Sequence, residues 1–344
     1  MGAKCSLPQS FAPYRNAVRA ELENTIDSSL PSLRNLLRYH MGWQDEHGNP
    51  CGRESGKFIR STLCILSCQA VGGDTSRVMS AAAAVELVHN FSLIHDDIED
   101  GSHERHHRPT VWKLWGESQA INAGDAMFTL AYSTLLKLSE KGIADEKIVS
   151  SIEMLSRACL ELCDGQYLDV DYENRLDITV KDYLDMAAKK TAALFGVSTS
   201  LGAYLGSEGS ELVNFFRLFG RQLGIAYQIC DDILGIWGTV ERVGKSAGDI
   251  SQRKKTLPVV YGLQNSEGTA RERLEGLYSQ KPIGDKGVSE VMKILNQLGA
   301  RDYAEDLAEQ YYQGALAQLE ATGLGASRQD PLKETACFIL KRDF

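Results

Sequence analysis

The sequence predicts an all-α fold, and three observations carry the prediction. Glycine and proline fall mainly between long stretches whose apolar residues recur at helical spacing. No run of alternating, β-branched residues lies between hairpin turns, so strands have no sequence support. Two acidic pairs, Asp96-Asp97 and Asp231-Asp232, lie inside apolar, helix-like stretches. That much buried negative charge is tolerated only where cations neutralise it, so a metal site competes here with a plain solvated acidic face. One large helical bundle, with residues 1–344 as a single domain, is the economical architecture.

Taken in order, helices are expected over about 12–41, 56–72, 75–97, 117–139, 145–167, 180–205, 209–238, 256–264, 286–298 and 301–322. The helix at 56–72 opens on Gly56-Lys57-Phe58-Ile59-Arg60, and the one at 75–97 leads into the first acidic cluster. Polar breaks fall at 42–55, 101–111, 170–179 and 239–255, and none has the composition of a domain linker. No internal repeat or low-complexity segment interrupts the series.

The chain has 344 residues, 43% of them hydrophobic, enough for a sizeable core. Its 37 basic and 46 acidic residues leave a net charge of -9, which gives no nucleic-acid footprint and disfavours a strongly anionic membrane surface. Anionic substrates therefore need local cations. No uninterrupted apolar run reaches bilayer length and no secretory signal opens the chain, so the cytoplasm is the expected compartment. The eight cysteines are read as free thiols. Cys64/Cys68 and Cys159/Cys163 each sit one helical turn apart, suited to packing or to a subunit contact. Met1-Gly2-Ala3-Lys4-Cys5-Ser6 matches a myristoylation pattern, with Cys5 placed for a second acyl chain.

Asp96 and Asp100 stand one helical turn apart and can meet one metal, while Asp97 points aside and can orient ligands. Oxygen-only ligands favour a hard cation, Mg²⁺ first, with open positions for phosphate oxygens. His89 lies two turns before Asp96 on the same face, and Tyr227, Gln228 and Asp231 share a face of the second acidic helix. Cations flank both clusters: Lys57 and Arg60, then Arg105 and Arg108, then Lys245, Arg253, Lys254 and Lys255. The stretch from Gly52 to Lys57 is one residue short of a nucleotide P-loop and has Phe58 where Ser or Thr is required. His103, His106 and His107 form a possible zinc cluster, but in a polar loop without cysteine.

In this order the elements resemble the trans-isoprenyl diphosphate synthase (polyprenyl synthetase) family, over about residues 53–265. The landmarks are Gly56-Lys57 with Arg60, His89, the DDxxD at 96–100, Arg105, Pro109-Thr110, Gly124-Asp125, Gly165-Gln166, Lys190-Thr191, Tyr227-Gln228 with Asp231-Asp232, Gly244-Lys245, and Lys254-Lys255-Thr256. The resemblance implies an isoprenoid synthase-like bundle around a central catalytic cavity, acting on isopentenyl diphosphate and an allylic diphosphate (dimethylallyl, geranyl or farnesyl). By the same analogy Asp96, Asp100 and Asp231 are the metal ligands, for about three Mg²⁺ ions. Arg105, Lys190 and Lys245 then grip the allylic diphosphate, and Gln228 with Lys190 and Thr191 faces the developing cation. Lys57, Arg60 and His89 take isopentenyl diphosphate, and the departing diphosphate removes the proton. The family is usually homodimeric.

The chain departs from the pattern in three places. His106 replaces a second arginine and is a weaker, pH-dependent phosphate ligand for which Arg108 is a possible substitute; Gly235 ends the second motif without a carboxylate; Phe58 replaces an arginine. An aromatic residue five positions before the first Asp, here Phe91, resembles synthases with a C20 product. Ideal helix geometry puts Ser92 more nearly beneath Asp96. The expected product is geranylgeranyl diphosphate, with farnesyl or slightly longer products open. Two other readings compete: a catalytically weak regulatory partner subunit, and a class I terpene cyclase. The carboxylates argue against the first, and the isopentenyl-side cations and the absence of an Asn/Ser/Thr-Glu second motif argue against the other.

Overall fold

A computed structural model describes residues 8–51, 56–209, 211–238, 248–279 and 282–341. The expected helix over 12–41 is two: α1 (Ala12–Asp27) and α2 (Pro31–His40). Pro31 lacks the N–H a continuing helix needs and drives Leu30 into an extended conformation, ψ 140°. The next helix, α3 (Ile59–Ala70), starts three residues later than expected, because Gly56 (φ +76°) and Phe58 (φ +51°) take left-handed conformations.

A short 3₁₀ turn leads into α4 (Met79–Glu99), whose Ala81–Ala84 run is wholly buried and lets neighbouring helices close in on all sides. By length and apolarity alone the segment Thr75–Glu99 could cross a membrane, but 67% of its apolar window is buried inside the fold, as befits a central core helix. The loop after it holds a small antiparallel pair, β1 (Glu104–Arg105) and β2 (Arg108–Pro109), turned by His106 and His107, both at positive φ. That is the conformation of a tight two-residue hairpin, which the sequence hides because neither residue is the usual Asn or Gly.

Then follow α5 (Val111–Trp115), α6 (Glu117–Leu136) and α7 (Asp145–Tyr172). The expected helix at 180–205 divides into α8 (Val180–Ala187), a π turn over Ala188–Ala192, and α9 (Ala193–Gly206). The remaining elements are α10 (Val213–Trp237), α11 (Gly248–Ser251), α12 (Leu257–Asn265), α13 (Gly268–Tyr278), α14 (Asp285–Gln297), α15 (Ala300–Glu320) and α16 (Ala326–Leu340). The sequence did not forecast α13, with its charged run Ala270-Arg271-Glu272-Arg273, or α16, where Pro331 reads as a break.

Helices α3, α9 and α10 pack through small residues. A Cβ on Gly202 would strike the Cys64 carbonyl, and one on Gly220 would strike Phe195 and Thr199. Phe195, Phe216 and Phe219 fill the seam with no exposed surface. Each contributes about 2–3 kcal/mol of burial energy. The outcome is a rigid frame with α4 and α10 supplying acidic ends to one cavity.

Candidate active site

A cavity of about 460 Å³ opens between α3, α4, α7, α10 and the β hairpin. Lys57, Arg60, His89, Ser92, Asp96, Arg105, His106, Lys190, Thr191, Tyr227, Gln228 and Asp231 all line it. Asp100 caps the C-terminal end of α4 and joins the site through Lys254, while Phe91 faces elsewhere. Gly244 and Lys245, like the N-terminal Gly2 and Cys5, lie outside the described residues.

Four carboxylates at the C-terminal end of α4, Asp96, Asp97, Glu99 and Asp100, oppose the helix dipole, so the surrounding cations are a physical necessity. Asp96 Oδ1 accepts from Lys190 Nζ at 3.1 Å and from Gln166 Nε2 at 3.3 Å. Burial raises the pKa of Asp96, but Lys190, Lys254 and Arg105 outweigh it and hold the carboxyl below its ordinary value. Asp100 accepts from Lys254 Nζ at 2.6 Å, yet burial and the neighbouring Asp96 push its pKa up. Asp97 is buried, and its Oδ1 accepts from Arg105 Nε at 3.0 Å and lies 2.9 Å from Arg105 Nη2, so it orients an arginine. Burial moves its pKa up to about 6 despite that partner.

Lys190 is shared between Asp96 and Asp169, the latter at 2.5 Å. Its placement comes from the π turn and from Gly165 on α7, where any Cβ would run into the Lys190 backbone. π turns frequently mark functional sites, and this one lets the lysine reach over α7. Burial works against its charge, but Asp169 and Asp96 raise its pKa overall, so it is an ammonium throughout the physiological range.

On α10 the two acidic neighbours have separate tasks. Asp231 faces the cavity. Asp232 is buried and accepts from the Tyr183 hydroxyl at 2.7 Å, Gln228 Nε2 at 2.9 Å and the backbone N–H of Leu257 at 2.7 Å. It thereby ties α8, α10 and the first turn of α12 together, and burial pushes its pKa up to about 7. Gly235 has no carboxylate of its own, but a Cβ built there would strike Asp249 Oδ2. Asp249 therefore stands beside the end of the motif; burial raises its pKa, and Asp100, Asp231 and Asp169 add to the rise against Lys254.

Sequence reasoning missed Asp169 and Asp249 and left Lys254 among several cations. Asp169 follows Gln166 by one helical turn, a signal that was available. Asp249 comes from another element, and no spacing in the chain announces it. Among the described residues no three acidic, His or Cys side chains stand as a ready metal cluster, because ammonium groups of Lys190 and Lys254 sit between the carboxylates. An oxygen-only set neutralised by stand-in cations fits a hard metal ion accompanied by an anion.

The opposite end of the cavity is cationic. Arg60 lies over the rings of Phe195 (4.7 Å) and Tyr227 (5.6 Å), and its Nη1 stands 3.1 Å from His89 Nε2. His106 enters from the hairpin turn; burial, then Arg105, lowers its pKa and keeps it neutral at pH 7. Arg108 is no substitute for the missing arginine. It donates to the carbonyls of Tyr39 (3.0 Å) and Gln44 (2.9 Å) and stacks on Tyr39 at 4.0 Å, spending its donors on the loop. The zinc reading of the three histidines fails too, since His103 packs at a tilt against Trp112 while His106 turns into the cavity. Cys64, Cys68, Cys159 and Cys163 are free thiols, and burial raises the pKa of each, which suits packing for the first three and leaves Cys163 exposed.

His40, hydrogen-bonded to Asn90 Oδ1 at 3.1 Å, also lines this end, and burial followed by Arg105 lowers its pKa to about 3. His89 shifts in the same direction. Below pH 6.5 the unfolded chain binds protons at these positions that the native chain refuses, so stability is present above that pH and lost as pH falls towards about 3. Urea titrations should show a loss of about 1.4 kcal/mol per pH unit from His40 within that window. A His40→Gln chain with an unchanged slope would refute the assignment.

The polyprenyl synthetase family model matches residues 48–296. The chain belongs to the polyprenyl synthetase family. It is similar to the geranylgeranyl diphosphate synthase of Mycobacterium tuberculosis (strain ATCC 25618 / H37Rv), 39% identical over 301 residues, 87% of this chain and 84% of that protein. It is 34% identical over 325 residues to the (2E,6E)-farnesyl diphosphate synthase of the same organism, covering 93% and 89% of the two chains. The crystal structure of polyprenyl synthetase from Streptomyces coelicolor A3(2) matches with a TM-score of 0.89 at 33% identity, covering 96% of this chain and 98% of that one. This member is thus an all-α trans-isoprenyl diphosphate synthase, a transferase of prenyl groups that makes short-chain products.

Proposed function

We propose that the synthase condenses isopentenyl diphosphate with an allylic diphosphate (dimethylallyl, geranyl or farnesyl) and makes geranylgeranyl diphosphate. The observation that carries this reading is one cavity with two unlike anion sites. Asp96, Asp231, Lys190 and Lys254 form an end that takes an anion together with a metal, whereas Lys57, Arg60, His89 and His106 form an end that takes one without.

Asp96, Asp100 and Asp231, with Asp249 beside them, would hold about three Mg²⁺ ions, the hard cation that such oxygen donors suit. Mg²⁺ held by these carboxylates would supply positive charge to the departing allylic diphosphate. Arg105, fixed by Asp97, and Lys190 and Lys254 exchange carboxylate for phosphate oxygens as the substrate enters. Lys245 is assigned to the same diphosphate from the family pattern alone. The Thr191 hydroxyl donates to Gln228 Oε1 at 2.6 Å, which keeps amide and hydroxyl oxygens near the carbon that becomes positive. Lys57, Arg60, His89 and His106 orient isopentenyl diphosphate so that its double bond attacks that carbon, and Tyr227 supports Arg60 from below. The released diphosphate takes the proton.

A second pocket of about 450 Å³ shares Ser92, Leu162 and Gln166 with the cavity and continues towards Phe91. Phe91 is held edge-on by Phe128 at 5.0 Å. The growing chain passes Ser92 and stops at this aromatic pair. Phe91→Ala should lengthen the product by about one or two isoprene units. An unchanged C20 ceiling would remove Phe91 from that role.

Exposed apolar residues on α6 and α7, among them Leu136 (57%), Val149 (65%), Leu160 (71%) and Tyr167 (69%), support a homodimer that covers them. The whole chain acts as one unit, and its site of action is the cytoplasm. The deciding experiment incubates purified protein with isopentenyl diphosphate, Mg²⁺ and each allylic primer, then reads chain lengths by mass spectrometry. A C20 product is expected, and no elongation with any primer overturns the proposal.

A further inference from the structure

A third hollow, of about 540 Å³, lies between α7, α9 and α10 and shares no lining residue with the cavity or the tail pocket. Its floor is small and apolar, built by Ala158, Ala193, Gly196 and Val197. A Cβ on Gly196 would stand 2.7 Å from Arg221 Cγ, so the stem of Arg221 lies along α9 while its guanidinium reaches Glu161 at 2.5 Å. Met154 and Tyr204 flank this floor.

The rim is cationic in a chain whose net charge is -9. Arg217 donates to the neutral Asn214 Oδ1 at 3.0 Å, which leaves its charge uncompensated by that bond. Arg157 makes an exposed i,i+4 pair with Glu153 that solvent screens. At the Tyr204 end Lys147 lies 5.7 Å from the ring centroid, pinned to the Ser207 carbonyl at 2.6 Å. Guanidinium groups at the mouth of an apolar trough match a diphosphate head with a hydrocarbon tail, and the volume lies in the ordinary range of ligand sites.

We infer that this hollow is a regulatory site for a prenyl diphosphate, the anionic amphiphile class that the synthase itself makes. The identity of the ligand rests on the proposed function; the existence of an anionic amphiphile site rests on the hollow alone. The helices that build it also build the reaction site. On α7, Ala158 and Glu161 are followed at once by Leu162 and then Gln166 of the cavity, and α9 continues directly from the turn that carries Lys190. Occupation therefore presses on the two helices that set Lys190, and kcat should fall while KM for isopentenyl diphosphate stays.

The test uses the full chain in EDTA with saturating isopentenyl diphosphate, so that the acidic end of the cavity lacks its metal and the cationic end, which needs none, is already filled. Calorimetry with farnesyl diphosphate, below its aggregation concentration, should show one saturable equivalent. Arg217→Glu or Arg157→Glu should weaken it at least tenfold with Tm and basal turnover unchanged, since both side chains are exposed. No saturable binding, binding indifferent to both substitutions, or equal binding of farnesol overturns the inference. Capture by phosphatidylglycerol vesicles without binding of free farnesyl diphosphate overturns the assignment to a soluble product. A chain that elongates nothing yet binds farnesyl diphosphate in EDTA would sink the proposed function and leave the site standing.

Discussion

Asp96→Asn should lower kcat by about 10³- to 10⁴-fold, roughly 4–6 kcal/mol of transition-state stabilisation, because it removes a carboxylate where metal charge is needed. The same substitution should cost at most a small fall in Tm, since Lys190, Lys254 and Arg105 favour the ionised Asp96 carboxyl and lose a partner. The fall is limited because Asp96 stands beside Asp97 and Asp100 at the C-terminal end of a helix, so removing one negative charge relieves repulsion, and Lys190 keeps Asp169 as its partner. Steady-state rates with excess Mg²⁺ and thermal melts on the same sample check both halves. Near-normal turnover would sink the ligand assignment, and a large loss of Tm would mean that the lost activity reports unfolding.

Asp232→Ala should do the reverse, with its larger effect on the fold. It strips the Tyr183 hydroxyl, the Leu257 N–H and Gln228 of their common acceptor inside the core. Buried donors left without partners cost about 1–3 kcal/mol each, and partial relaxation brings the sum to about 3–5 kcal/mol. For a chain of this size that is a fall of about 4–7 °C in Tm. Asp232→Asn keeps an acceptor and suits a site whose pKa is already near 7, so it should cost about 1 kcal/mol. Equal melting of both variants with wild type would show that Asp232 staples nothing.

The contrast between these neighbours shows how much the sequence disclosed. Spacing on a helix reveals which side chains share a face, and Asp96, His89, Gln228 and Asp231 do line one cavity. The long apolar helices were legible for the same reason, since burial imposes a period. What stayed hidden depends on contacts between distant elements. Asp249 is useful only because Gly235 leaves room for it, and Arg108 is lost to phosphate only because two loop carbonyls claim it. The His106-His107 turn escaped notice because its positive φ values fall on residues that rarely adopt them. Phe91 could be numbered from the motif, yet its partner Phe128 lies on a helix that the motif does not mention.

The π turn at Ala188–Ala192 holds one residue more than a regular α-helical turn needs. Deleting a single residue there would let α8 and α9 fuse into an ordinary helix, an outcome that local propensity favours. Everything beyond the deletion would then rotate by about a quarter turn, and the lysine would point away from its carboxylates. The molecule would remain helical and lose its chemistry, so at this one place folding and catalysis make opposite demands on the length of the chain.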